Sequence, residues 1–283
     1  MLKPFYVSSF GGSATQWVST VLNYHENIVC YHGTRSLPPY PSGTNDISPE
    51  KFVDGLRQSI ANCSNTKIFG AVHGYYGLSL YDAIDGCDGK FAAVTRHPIK
   101  RINSLFNHHY KRQRKDWDRT KSVYMDFEDK KSDFVRLDDK KNVVFSDMTN
   151  TFHWICNGTI ENDLMLFQKI GYDLNFKMER LVGDEEHFAA FFRELTGNEI
   201  EIEPSYIDRV FSKKISNKHD HQEKTAADMY ELWPNVLKYI YQHVVENNGG
   251  LKALQEYENI GYDVVSNLDV KFEYVNHEIK IYR

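Results

Sequence analysis

Apolar positions along the first hundred residues switch repeatedly between two periods. Residues 4–9, Pro-Phe-Tyr-Val-Ser-Ser, form a short β-prone run that gives way to Gly11-Gly12-Ser13-Ala14-Thr15, after which Trp17, Val18, Val21 and Leu22 recur at helical spacing. The pattern predicts a strand, a glycine-containing loop and a helix. After a proline-rich loop at 36–41 come a helix over 48–62, a buried strand over 67–73, a helix over 76–84 and a third apolar strand over 91–95. That strand stops at Arg96-His97-Pro98, where the proline favours a turn and then the first turn of a helix reaching Tyr110. Helical spacing returns near 160–170, a fourth strand is expected over 174–179, and helices over 184–196, 203–211 and 225–247. Apolar and polar positions then alternate on either side of Asn276-His277, which predicts a C-terminal hairpin of 270–274 with 278–282.

Strands alternating with helices specify an α/β fold, a central parallel β-sheet flanked by helices that binds ligands beyond the carboxyl ends of its strands. A single domain over 1–283 is expected, with two additions to it. From 111 to 141 the composition shifts to dense charge of both signs, including Lys111-Arg112-Gln113-Arg114-Lys115, which reads as a solvated insertion. The segment 248–283 reads as a C-terminal extension.

Composition narrows the function classes. A chain of 283 residues with 41% hydrophobic and 26% charged residues has enough apolar surface for a large core and belongs with soluble globular proteins. No apolar run approaches the roughly 18 residues that a bilayer demands. Residues 1–7 carry neither the apolar region nor the cleavage site of a secretory signal, so a cytoplasmic location is expected, without membrane association. With 34 basic against 39 acidic residues the net charge is −5, and no overall field recruits nucleic acid. Any anion site must therefore be local. Cys30, Cys63, Cys87 and Cys156 are scattered with no CxxC pair, which argues against zinc and fits reduced thiols.

The candidate chemistry is anion capture. A glycine loop between a strand and a helix aims backbone N–H groups at a phosphate, and the helix terminus adds about half an elementary charge. Residues 9–17 lack the GxxxxGK[ST] pattern, so a nucleoside triphosphatase or small-molecule kinase is without its phosphate-binding lysine and its magnesium hydroxyl. Arg96, at a strand's carboxyl end, can present a forked guanidinium to phosphate, and Ser104 on the following helix can add a hydroxyl. His73, at the end of another strand, can act as a general base.

These segments together resemble the sulfotransferase family. Residues 9–17 are similar to its 5′-phosphosulfate loop: Ser13, Thr15 and Trp17 match, Ala14 replaces a glycine, Gln16 replaces a second threonine, and Gly12 stands where the family carries a basic residue. Arg96, Pro98, Arg101 and Ser104 fill the 3′-phosphate motif Arg-x-Pro-x-x-Arg-x-x-Ser. Ala71-Val72-His73-Gly74 resembles the place where many cytosolic members carry a catalytic histidine.

The resemblance implies 3′-phosphoadenosine-5′-phosphosulfate as sulfuryl donor, adenosine 3′,5′-bisphosphate as product, and no metal. It implies that Gly11, Gly12, Ser13, Ala14, Thr15, Gln16 and Trp17 hold the nucleotide with Arg96 and Ser104, and that His73 is the general base. Lys213, Lys214 and Lys218 lie where the family has a late basic loop, which implies that they cover the 3′-phosphate or the adenine. Arg101 reads as a helix-to-core ion pair, and the segment 177–181 as structural. The acceptor that the resemblance implies is a hydroxyl or amine of a small molecule or carbohydrate. Because Gly12 offers no cation, three readings stand: an enzyme in which Lys3, Arg35 or the 213–218 loop reaches in, a slow enzyme without a loop cation, or a protein of this fold that binds a nucleotide or partner without transfer.

Overall fold

The computed structural model describes residues 4–9, 11–33, 48–61, 68–72, 79–86, 88–113, 135–137, 143–145, 147–212, 224–275 and 278–282. Its elements run β1 (Phe5–Ser8), α1 (Thr15–Leu22), β2 (Ile28–His32), α2 (Pro49–Ala61), β3 (Ile68–Val72), α3 (Ser79–Asp85), β4 (Lys90–Thr95) and α4 (Pro98–Gln113). Then follow β5 (Val135–Leu137), β6 (Val143–Phe145), α5 (Asp147–Ile170), β7 (Asn175–Lys177), α6 (Met178–Leu181), α7 (Glu185–Thr196) and α8 (Pro204–Ser212). The last are α9 (Ala226–Glu231), α10 (Asn235–Asn247), α11 (Leu251–Asn259), β8 (Lys271–Val275) and β9 (Glu278–Tyr282). Two compact units divide the chain, Met1–Arg96 with Met165–Lys218, and His97–Leu164 with His219–Arg283. No helix among the described residues is long and apolar enough to cross a membrane.

The first unit is built on a parallel sheet of order β2-β3-β1-β4-β7. β1 lies at its centre because it can: Phe5, Tyr6 and Val7 are all fully buried, and successive side chains point to opposite faces. Phe5 and Val7 join a cluster with Trp17, Val18 and Val21 of α1, Phe188 and Phe192 of α7, and Tyr206 of α8. Tyr6 faces the other way, into Phe52 of α2, Leu80 and Ile84 of α3, and Leu166 and Ile170 of α5. Gly70 of β3 is in register with Phe5, and a Cβ there would come within 2.3 Å of the Phe5 ring. The aromatic ring of β1 thus requires a glycine on its neighbour. Order reverses on the two sides of β1, so the loop after it opens at the sheet's switch point.

In the second unit Trp233 packs edge-on against Phe152 at 5.2 Å and Tyr241 at 5.7 Å, and Phe106 of α4 meets Phe152 at 5.0 Å. Beside them Arg101 and Asp163, 0% and 1% exposed, form an ion pair with Nη1 to Oδ1 at 2.6 Å, and the Tyr257 hydroxyl donates to Asp163 Oδ2 at 2.9 Å. Burial pushes the Asp163 carboxyl up from its ordinary value, and Arg101 pulls it back. β5 pairs with β6 and β8 with β9, both antiparallel. Cys30 in the first unit and Cys156 in the second are buried free thiols, both pushed upward by burial.

The alternating sheet and the C-terminal hairpin follow the sequence pattern, with five differences. β2, Ile28–His32, is an additional strand on the sheet's edge, half-covered along its length. The helix expected near 160–170 begins at Asp147. The segment expected as one helix over 225–247 is broken, because Pro234 lacks an N–H and sits with φ −55° and ψ 149° as the cap of α10. The charged segment contributes β5 to a hairpin, and α11 occupies part of the extension. The rest of the charged segment, at 114–134 and 138–141, lies outside the described residues.

Asp163→Ala leaves the Arg101 charge buried without its counter-ion, and is expected to cost about 3–5 kcal/mol of stability. Asp82→Ala, at the exposed Lys169 pair of the first unit, should leave the urea midpoint in place. Equal midpoints for the two variants would refute the buried pair.

Candidate functional site

β1 ends at Ser8, and the chain turns through the 11–14 loop into α1. The turn is tight: Gly11, Gly12 and Ala14 have φ of 101°, 62° and 54°. The first two are glycines, which take this region without steric cost, whereas Ala14 adopts it against its Cβ. Ala14 is also the cap residue of α1 and offers no side-chain cap, so the positive end of the helix faces the loop without one. Ser13 is fully buried, and its hydroxyl donates to the Gly11 carbonyl at 3.2 Å, which holds the loop closed on itself. The Ser8 and Ser9 hydroxyls, both buried at the loop's entrance, have no hydrogen-bond partner among the described residues. Such groups cost about 1–3 kcal/mol each when unmet, so a ligand oxygen reaching them would be favoured.

The remaining residues of the loop diverge. Thr15 Oγ1 lies 3.1 Å from Nε2 of His32. Gln16 is exposed, and its carbonyl accepts from the Ser19 and Thr20 hydroxyls at 3.0 and 2.7 Å. Trp17, 4% exposed, packs edge-on against Phe188 at 6.0 Å, so its indole serves the core.

β4 runs beside β1 with Ser8 opposite Ala93, which delivers Arg96 to the flank of the loop. Arg96 is 9% exposed; its Nη1 donates to the Gly12 carbonyl at 2.6 Å, and its Nε lies 4.0 Å from Glu179 Oε1. A cation therefore stands at the loop position where no basic side chain is encoded. It arrives from a neighbouring strand rather than from Gly12 itself. Glu179, in a segment read as structural, is the carboxylate beside it.

The second unit holds the rest of the motif. The His97 Nδ1 accepts from the Ile99 N–H at 3.2 Å while Nε2 meets the Asp263 carbonyl at 2.7 Å, so the ring is the Nε2–H tautomer and caps α4. Arg101 makes the helix-to-core ion pair described above. Ser104 is partly exposed on α4. His73, Lys213, Lys214 and Lys218, with Lys3 and Arg35, lie outside the described residues.

His32 is the residue that reading the sequence left out. It closes β2 in register with Val72, the last residue of β3. Burial lowers its pKa from the usual histidine value, so the ring is neutral at neutral pH. The available signal was the apolar run Ile28–Tyr31 that it terminates.

No protein-family model matches the chain, and no curated protein sequence is significantly similar to it. Solved structures do share its fold. Sulfotransferase STF9 from Mycobacterium avium superposes with a TM-score of 0.51 at 11% identity, over 87% of this chain and 76% of its own. Mouse sulfotransferase SULT7A1, complexed with PAP, gives 0.50 at 13% identity over 90% and 88%.

Ala14→Gly is expected to raise stability by about 0.5–1 kcal/mol, because the left-handed backbone then carries no Cβ. A thermal melt reads it, and a lowered midpoint would place residue 14 outside that region.

Proposed function

We propose that this protein, whose fold is that of the sulfotransferases, moves a sulfuryl group from 3′-phosphoadenosine-5′-phosphosulfate to a hydroxyl or amine of a small-molecule or carbohydrate acceptor in the cytoplasm. The observation that carries the reading is the Arg96 guanidinium 2.6 Å from the Gly12 carbonyl, beside an uncapped helix terminus. An anion in the loop would meet first-turn N–H groups, a forked cation and the Thr15 hydroxyl, with the buried Ser9 hydroxyl close along the chain at the loop's entrance. That donor set suits a phosphosulfate and needs no lysine at position 12. The PAP complex of the mouse protein with the same fold supports the same ligand class.

When bound, the nucleotide supplies the sulfuryl group and the bisphosphate leaving group. His73 takes the acceptor's proton as its oxygen bonds to sulfur, a role worth roughly 10²–10⁴-fold in rate. Arg96 and the N–H groups of 11–15 stabilise the negative charge that grows on the leaving phosphate oxygen as the S–O bond breaks. Arg96 reaches this work already oriented, with Glu179 near its Nε. Ser104 and the lysines Lys213, Lys214 and Lys218 are assigned to the 3′-phosphate and adenine, and Gln16 to the loop's outer side.

Calorimetric titration without magnesium should show micromolar binding of adenosine 3′,5′-bisphosphate and little of ATP. Arg96→Ala should weaken it by about 1.5–3 kcal/mol, tenfold or more; unchanged affinity removes Arg96 from the site. His73→Ala should keep the nucleotide and lose transfer, and a near-normal rate would put the base elsewhere. Binding by the wild type without transfer to any acceptor would favour the non-catalytic reading.

A further inference from the structure

His32 takes no part in the reaction as proposed, yet its ring reaches the phosphate loop. It is held at the end of β2 by its pairing with Val72 and by the Gly33 N–H, which donates to the Val72 carbonyl at 3.1 Å. From there Nε2 lies 3.1 Å from Thr15 Oγ1. Thr15 is the first residue of α1, so its hydroxyl stands at the positive end of the helix. Past the glycines, it is the hydroxyl not turned back onto the loop, because Ser13 donates to the Gly11 carbonyl and position 16 is a glutamine.

The two imidazole tautomers give that hydroxyl opposite characters. A bare Nε2 accepts the Thr15 hydrogen, and the hydroxyl then turns a lone pair toward the loop, where an anion would meet oxygen against oxygen. An Nε2–H instead donates to Oγ1, and the hydroxyl hydrogen is left to point at the anion. Only the second arrangement builds an anion site. The half-buried, neutral state of the ring keeps the tautomer, rather than a second proton, as the deciding variable.

We infer that His32 is a positioning residue: its Nε2–H donates to Thr15 Oγ1 and so makes the Thr15 hydroxyl a fixed donor to a sulfuryl or phosphate oxygen in the loop. The inference rests on the loop being the phosphosulfate site. Its physical advantage is preorganisation, since a hydroxyl already aimed at the developing charge needs no reorientation during the reaction.

The test begins with the free, full-length protein. Nitrogen-15 imidazole spectra, with His32 assigned by its absence from the His32→Gln spectrum, should show the Nε2–H tautomer, and Thr15→Val should shift that nitrogen. Titration with adenosine 3′,5′-bisphosphate follows. His32→Ala and Thr15→Val should each weaken binding about tenfold, and together no more than the worse of the two. His32→Gln, whose amide N–H replaces the Nε2 donor, should recover affinity to within about threefold of wild type. A bare Nε2 in the free protein overturns the inference, as does unchanged affinity in His32→Ala or a glutamine variant no better than alanine. Absence of binding by the wild type overturns the phosphosulfate reading instead, while the spectrum still decides the donor on its own.

Discussion

A strand buried on both faces has to stop where its last backbone groups can be met, and the way β1 stops organises the first unit. Phe5, Tyr6 and Val7 commit the strand to two cores at once. The chain then escapes through a turn of left-handed residues, and the carbonyl of Gly12 that this turn exposes is taken by the Arg96 guanidinium from β4. That single bond links the ends of two adjacent strands. It also fixes where the Arg96 guanidinium sits, because a side chain only 9% exposed has little choice of position.

From this follows a division of labour within the loop. Ser13 and Trp17 face inward and hold the shape, the one through its hydroxyl and the other through its ring. Thr15 is left at the helix terminus with a histidine behind it. A loop with its own lysine would carry the charge on a flexible stem; here the charge comes from an arginine bonded through Nη1 to the Gly12 carbonyl, with Glu179 4.0 Å from its Nε. The cost of that arrangement is mobility, since under the proposed function Arg96 would meet an anion while sharing its donors with the Gly12 carbonyl, and the gain would be little side-chain entropy lost on binding.

The sheet was legible because its signals are local. Apolar runs bounded by glycine and proline marked β1, β3 and β4, and the alternation around Asn276-His277 marked the hairpin. β2 was harder to see because it pairs on one side only and is half-covered, so its run ends in Tyr31 and His32 rather than in a clear apolar block. The break at Pro234 was visible as a proline, but the apolar face on either side of it concealed the change of axis. Around the loop, residue types and spacing singled out Arg96 and the segment 177–181 that holds Glu179, but not that the two side chains face each other, nor that His32 at the end of β2 reaches Thr15, because those relations are spatial.

Arg96 and Arg101 show why a motif cannot assign roles by itself. Both belong to the same run of nine residues, and both are nearly or fully buried. Arg96, at a strand's end, finds the Gly12 carbonyl at 2.6 Å and a carboxylate 4.0 Å away, so its guanidinium is tied to the loop that follows β1. Arg101, one helical turn further, finds Asp163 at 2.6 Å with Tyr257 on the other carboxylate oxygen, and its charge is fully spent inside the second unit. The difference is set by what each position faces: an ion pair closed on itself holds a helix in place, whereas a guanidinium bonded to the carbonyl of a loop holds that loop's shape.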